Sequence, residues 1–329
     1  LKVACLQLQA FALNQAEEGL TNALAMVDQA ASGSPDLIVL PECAYPAYYL
    51  AGRSAMQSRG GLRAGKDVLD LFARKARQTG VYLAIGIAEE AADGSLYNSA
   101  FLFDSRGNIA GHARKQFLWH FDAQWFTTGD TFTVTETPWG PMGMLICADG
   151  RNPEIARILA LKGAKMIIDV TNWVAAGKDH ARLINAQAEF MLKARALENN
   201  VWMVAADKVG LEEASILYCG RSMLISPSGE VVAQGSSDKA EIVTAEIPLP
   251  LDDTHHQHSS SLEPVVRRPE TYYPIVQPVE ELSVSQTVRE AIIPGEKCLF
   301  VSAMQIDLGK DIDHLLTGTD QLIRASASA

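Results

Sequence analysis

Apolar runs and amphipathic stretches alternate along the chain, and their periods predict the order of elements. LKVACLQLQ reads as a strand, and over residues 13–31 Leu20, Ala23, Leu24 and Val27 recur at helical spacing. DLIVLPE follows as a short buried strand whose end carries Glu42, before Pro46 breaks the chain. Residues 66–79 predict a helix, and VYLAIGIAEE, LYNSAFLFD and a turn at SRGN together predict a hairpin. Next come a strand running into Cys147, a helix near 153–162, the strand AKMIIDV, a long helix near 178–199 and the strand VWMVAAD. SMLISPSGEVVAQ, a hairpin tipped by Pro-Ser-Gly, and AEIVTAEI complete the core.

This order mixes βα units with hairpins, which suits a layered α/β fold better than a doubly wound nucleotide fold. No GxGxxG or Walker-type phosphate loop occurs. The length, 329 residues, accommodates two domains or one large layered domain. From about residue 251 the periodicity weakens. HHQH, in DDTHHQHSSSLEP, reads as a solvated loop rather than a metal site, because no carboxylate or Cys pattern accompanies it. The tail is expected to wrap the core or a neighbouring subunit, with RASASA frayed at its end.

Charge and cysteine usage narrow the function classes. The net charge of -11, without a Lys/Arg cluster, argues against a nucleic-acid partner. Five widely spaced cysteines with no C-x-x-C pair disfavour a disulfide framework or zinc ribbon and point to a reducing, cytoplasmic setting. LKVACLQLQ lacks the basic and apolar regions of a signal segment, and no run reaches the ~18 apolar residues of a membrane span.

The chemistry centres on MLICADGRNPE, where an apolar strand ends at Cys147 and turns to charge, glycine and proline. A thiol at a strand-to-turn junction is presented as a nucleophile while the following N–H stays free. It also needs a base for its proton and donors for an oxyanion. Glu42, after LIVLP, and Lys115, in GHARKQF, are candidates for these roles. Cys5, Cys43 and Cys219 read as core.

LPE at 40–42, RKQFLWHFDAQWFTTGD at 114–130 and LICADGRNPE at 145–154, in that order, resemble the Glu-Lys-Cys signature of the nitrilase superfamily of carbon-nitrogen hydrolases. GAKMIIDVTNW, KARALENNVWMVAADKVG and SMLISPSGEVVAQ extend the likeness over roughly residues 1–275, leaving 276–329 as a C-terminal extension. The resemblance implies a four-layer αββα sandwich. It also implies Cys147 as nucleophile, Glu42 as general base, Lys115 as oxyanion stabiliser and the Ala148 N–H as its partner in the oxyanion hole. Many relatives carry a second glutamate seven residues after the lysine; this chain has Asp122 there, a shorter carboxylate expected to keep the electrostatic role.

Asp149, Arg151 and Glu154 are expected to brace the turn around Cys147, with Arg151 also suited to clamp a carboxylate. Trp119, His120, Phe121 and Trp173 are candidates to line the pocket, whereas Trp125 and Phe126 are equally suited to core. Cys-x-Asp at 147–149 resembles the amidase and carbamoylase branches more than the Cys-Trp-Glu of true nitrilases, although Gly150 stands where some carbamoylases carry arginine. The expectation is hydrolysis of a small amide or N-carbamoyl compound without metal or cofactor, by a homodimer or higher oligomer. The alternatives are nitrile hydrolysis and a non-catalytic scaffold. An activated Cys147 is expected to have a lowered pKa and to alkylate faster than a free thiol.

Overall fold

The computed structural model describes residues 1–50, 65–175, 183–213, 215–249, 251 and 268–277. Strands β1 (Lys2–Gln9), β2 (Leu37–Val39), β3 (Tyr82–Glu90), β4 (Leu96–Phe103) and β5 (Ile109–Arg114) lie side by side in one sheet. The first three are parallel, and β4 and β5 follow as an antiparallel meander. A second sheet is built on three parallel strands, β7 (Met142–Ile146), β8 (Met166–Val170) and β9 (Trp202–Ala206), flanked by β6 (Val134–Thr135) at one side. Its other side carries the hairpin β12 (Met223–Ile225) and β13 (Val231–Gln234). The hairpin β10 (Lys208–Glu212) and β11 (Ile216–Cys219) joins the first sheet beside β1, whose other residues pair with β14 (Glu241–Glu246).

The alternation of side chains along β1 explains the layers. Val3 and Cys5 point between the sheets, while Ala4, Leu6 and Leu8 point to the outer helices, so both faces are buried and the strand reads as one apolar run. Helix α1 (Ala16–Ala31) places Leu20, Ala23, Val27 and Ala30 on that outer face, and α2 (Gly65–Thr79) adds Val68, Phe72 and Ala76 at four-residue spacing. Helices α3 (Pro153–Leu161) and α4 (Leu192–Asn199) cover the second sheet through Ile155, Leu159, Leu192 and Ala196. Each large side chain buried in this way contributes roughly 1.5–3 kcal/mol. The result is the αββα sandwich.

Three expectations need adjusting. The first helix is preceded by a separate 3-10 turn at Leu13–Gln15. The long helix near 178–199 begins only at Ala186 among the described residues and opens with a π-helical turn, Gln187–Met191, because Leu183–Asn185 are extended or irregular. β6 and the β10–β11 hairpin carry no strong alternation and were not anticipated. HHQH and all of the C-terminal extension beyond residue 277 lie outside the described residues, and the first compact unit comprises Leu1–Glu263. Among the described residues no helix is long and apolar enough to cross a membrane.

Candidate active site

Glu42, Lys115 and Cys147 all leave their sheets at the carboxyl ends of strands. Glu42 lies three residues beyond β2, Lys115 directly follows β5, and Cys147 directly follows β7. Two antiparallel pairings in succession bring β5 back parallel to β3 and β2, so the first two residues share one edge. The two sheets are joined there by Glu42 N donating to Thr171 O at 3.3 Å and Asn172 Nδ2 donating to Glu42 O at 2.9 Å. Gly86 of β3 makes room for the Glu42 segment: a Cβ on it would lie 2.5 Å from Glu42 Cα.

Lys115 is fully buried between two carboxylates, with Nζ 2.6 Å from Glu42 Oε1 and 2.6 Å from Asp122 Oδ2. Burial works against its ammonium, but Glu42 and Asp122 outweigh that penalty and hold its pKa well above the ordinary lysine value. For Glu42 burial dominates and raises the pKa, Lys115 opposing it and Asp122 reinforcing it. Asn98, on β4, donates to the same Glu42 Oε1 at 2.6 Å. Glu42 Oε2 is buried with no hydrogen-bond partner among the described residues. Tyr48, fully buried, sets its ring 5.6 Å from the Lys115 ammonium.

Cys147 begins a 3-10 turn, Cys147–Arg151, and takes φ +49° there, a left-handed conformation that strains a non-glycine residue. The surroundings hold it in place. Cys147 N donates to Asp169 Oδ1 at 2.8 Å, Gln187 Nε2 donates to Cys147 O at 2.6 Å, and Arg195 donates to Gly150 O at 3.1 Å and Arg151 O at 3.0 Å. The Sγ lies 3.6 Å from Asn172 O. Ala148, as an early residue of the turn, has an N–H with no intrahelical acceptor. Burial raises the Cys147 pKa well above the thiol value, Glu42 adds to this, and Lys115 only partly opposes it. The expected lowering of this pKa is therefore corrected: burial and the Glu42 charge both favour the thiol over the thiolate.

The brace around the turn is narrower than anticipated. Asp149 accepts from Gln116 N at 3.0 Å, Phe117 N at 2.7 Å and Ile146 N at 3.1 Å, tying the Cys147 turn to the segment after Lys115. Burial pushes its pKa up to about 6 against these three donors. Arg151 Nε donates to Gln187 Oε1 at 3.0 Å, and its guanidinium stands 5.3 Å from the Trp119 ring. Glu154 is exposed in the first turn of α3, where its charge favours the helix N-terminus, and takes no part in the brace.

Of the aromatic candidates, Trp119 is half-buried near Arg151, and His120 is exposed at φ +51°. Trp173 is fully buried in the inter-sheet core, as Glu42, Lys115 and Cys147 themselves are buried. Trp125 and Phe126 are core, and the side chain of Phe121 lies outside the described residues. Sequence reasoning missed Asn98, Tyr48, Asp169, Asn172 and Gln187, which surround the three candidates. It also missed a buried pair on β10. Lys208 Nζ donates to Cys43 O at 2.9 Å, and Glu212 Oε1 accepts from Tyr48 N at 3.0 Å and Tyr49 N at 2.7 Å. Among the described residues no group of three or more His, Cys, Asp or Glu is arranged to hold a metal ion.

A family model described as carbon-nitrogen hydrolase matches residues 2–252. A nitrilase of Pyrococcus abyssi is 33% identical over 275 residues, covering 83% of this chain and 99% of its own length. An omega-amidase of Xenopus laevis is 30% identical over 241 residues, covering 70% and 83% respectively. Among solved structures, an amidase from Nesterenkonia sp. superposes with a TM-score of 0.70 at 20% identity, over 84% of this chain and 96% of that one, a likeness of architecture.

Proposed function

Because the chain belongs to the carbon-nitrogen hydrolase family, within the nitrilase superfamily, we propose that it hydrolyses a small amide or N-carbamoyl compound through a thioester on Cys147 and releases ammonia. The observation that carries this reading is the placement of Glu42. One carboxylate oxygen is held by Lys115 and Asn98, and the other, Oε2, is buried without a partner beside a thiol that needs a base.

In this scheme Glu42 takes the thiol proton as Sγ attacks the carbonyl carbon. Its raised pKa suits it to accept that proton and return it. The carbonyl oxygen becomes an oxyanion facing the Lys115 ammonium and the Ala148 N–H, two donors fixed before the reaction begins. Collapse breaks the carbon-nitrogen bond, and ammonia leaves with the proton that Glu42 held. Water then attacks the thioester while Glu42 accepts its proton, and a second collapse frees the acid and restores the thiol. Nucleophile, base and oxyanion donors are all supplied by the chain, so the scheme calls on no cofactor. Asp122 steadies Lys115 together with Glu42.

An amide suits Glu42 Oε2 better than a nitrile, because an NH2 group offers a donor to that buried acceptor and a nitrile nitrogen offers none. Nitrile hydrolysis is the second reading, favoured by the name of the Pyrococcus abyssi relative. The test is ammonia release from a panel of small amides, ω-amides, N-carbamoyl compounds and nitriles, comparing the native chain with Cys147→Ala. Release abolished by the substitution supports the thiol mechanism, and the responding substrate class decides between the readings. Equal release from both proteins refutes it, and silence across the panel shifts weight to the non-catalytic scaffold. We further propose a cytoplasmic homodimer, which a monomeric mass by light scattering refutes.

A further inference from the structure

Gln187 occupies the first position of the π-helical turn and is buried, with no contact that the scheme above uses. Its side chain is fixed at both ends: Nε2 donates to Cys147 O at 2.6 Å, and Oε1 accepts from Arg151 Nε at 3.0 Å. Its own N–H donates to Asn185 Oδ1 at 2.9 Å, and Asn185 in turn donates to Val174 O at 2.9 Å, which anchors the π turn to the chain beyond β8. The space it fills is matched to it, since a Cβ on Gly150 would lie 3.1 Å from Gln187 Nε2. A one-residue widening of a helix is a device found at functional sites, and here it sets one amide side chain over one carbonyl.

The peptide joining Cys147 to Ala148 is a single plane in which C=O and N–H point in opposite directions. Anchoring the Cys147 oxygen therefore fixes where the Ala148 N–H points. The other side of Cys147 is held by Asp169, and the residue between these anchors sits at φ +49°, a conformation that relaxes when its supports are removed. We infer that Gln187 is a positioning residue that aims the Ala148 N–H at the oxyanion formed when Cys147 attacks a carbonyl. This inference rests on the reading of Cys147 and Ala148 under Proposed function.

The test separates oxyanion stabilisation from thiol reactivity. Propionaldehyde adds to a thiol as the S–C bond forms, the carbonyl π pair moves to oxygen and the thiol proton passes to Glu42; nothing is oxidised or reduced and no group leaves. Iodoacetamide alkylates the same sulfur by displacing iodide, without forming an oxyanion. Gln187→Met and Gln187→Glu both remove the donor, and the second keeps a partner for Arg151. Both variants are expected to weaken protection of Cys147 by propionaldehyde about tenfold or more, with the iodoacetamide rate without aldehyde changed by no more than about threefold. With propionamide, kcat falls in parallel and KM does not. Unchanged protection in both variants overturns the inference, as does protection that falls only in step with the alkylation rate. The aldehyde measurement needs no amide turnover, so propionamide hydrolysis that survives Cys147→Ala would sink the proposed function without deciding the role of Gln187.

Discussion

The backbone N–H of Cys147 donates to the Asp169 carboxylate at 2.8 Å, so the candidate nucleophile is tied to the neighbouring parallel strand. Burial, with the Cys147 N–H opposing it and Glu42 adding to it, raises the Asp169 pKa well above the ordinary value. Its other oxygen, Oδ2, has no partner among the described residues. Asparagine keeps an acceptor for the Cys147 N–H. Asp169→Asn is therefore expected to change stability by less than about 1 kcal/mol, whereas Asp169→Ala strands a buried N–H and costs about 1–3 kcal/mol. Urea unfolding of the two variants checks this, and equal losses would show that the acceptor for the Cys147 N–H is not what Asp169 contributes.

Asp122 stands 2.6 Å from Lys115 and is one of the causes that raise the Glu42 pKa. Removing its charge lets Glu42 ionise more readily, so in Asp122→Asn the acid limb of the pH-rate profile moves to lower pH. Turnover falls roughly 10- to 100-fold at the optimum, because the ammonium it steadies is an oxyanion donor in the proposed scheme. Turnover and profile both unchanged would remove Asp122 from the site's electrostatics.

Much of this was legible from the chain, for physical reasons that differ residue by residue. Strands such as β2 and β7 are apolar on both faces and announce themselves as unbroken runs, and α1 announces itself by a single apolar stripe. Glu42 and Cys147 each follow such a run, so their strand-end positions could be anticipated, whereas Lys115 follows the half-exposed strand IAGHAR. Asn98 and Gln187 could not. Asn98 is one polar residue in the apolar strand LYNSAFLF, and its partner Glu42 is 56 positions away. Gln187 sits where the helical period is disturbed by the π turn, and nothing local in QAEFM marks the carbonyl it serves. β10 hides a buried Lys-Glu pair behind the polar sequence KVGLE, which alternation alone reads as surface.

Asp149 provides a test whose sign follows from linkage. Its pKa in the fold is about 6 against an ordinary 3.8, so between those values the folded chain holds more protons than the unfolded one. The stabilisation is present below the unfolded pKa and is lost as pH rises through about 6. Asp149→Asn does not titrate. It is destabilised at low pH and above, because its NH2 faces a backbone donor, but its deficit relative to the native chain shrinks by up to about 3 kcal/mol between pH 4 and pH 7.5. Denaturant unfolding at the two pH values measures this. A deficit that grows with pH would mean that the Gln116, Phe117 and Ile146 N–H groups outweigh burial and hold the carboxyl below its ordinary value.

Gly86 tests whether the position of Glu42, rather than its chemistry alone, limits the reaction. A Cβ at this position would stand 2.5 Å from Glu42 Cα and 2.8 Å from Pro41 O, both backbone atoms that cannot rotate away. The surrounding contacts, Gly86 N to Pro41 O at 3.1 Å and Ala44 N to Gly86 O at 2.8 Å, bind the two segments together, so the strain of Gly86→Ala is relieved by moving Glu42 off β3. Overpacking of this kind costs about 1–3 kcal/mol, a modest drop in melting temperature for a chain of this size. The rate is expected to fall further, about 100-fold, because a displacement near 1 Å spoils a proton transfer that needs hydrogen-bond contact between Glu42 and the thiol. Full turnover in Gly86→Ala, with the stability loss present, would show that Glu42 acts from a looser range of positions than its burial beside Lys115 implies.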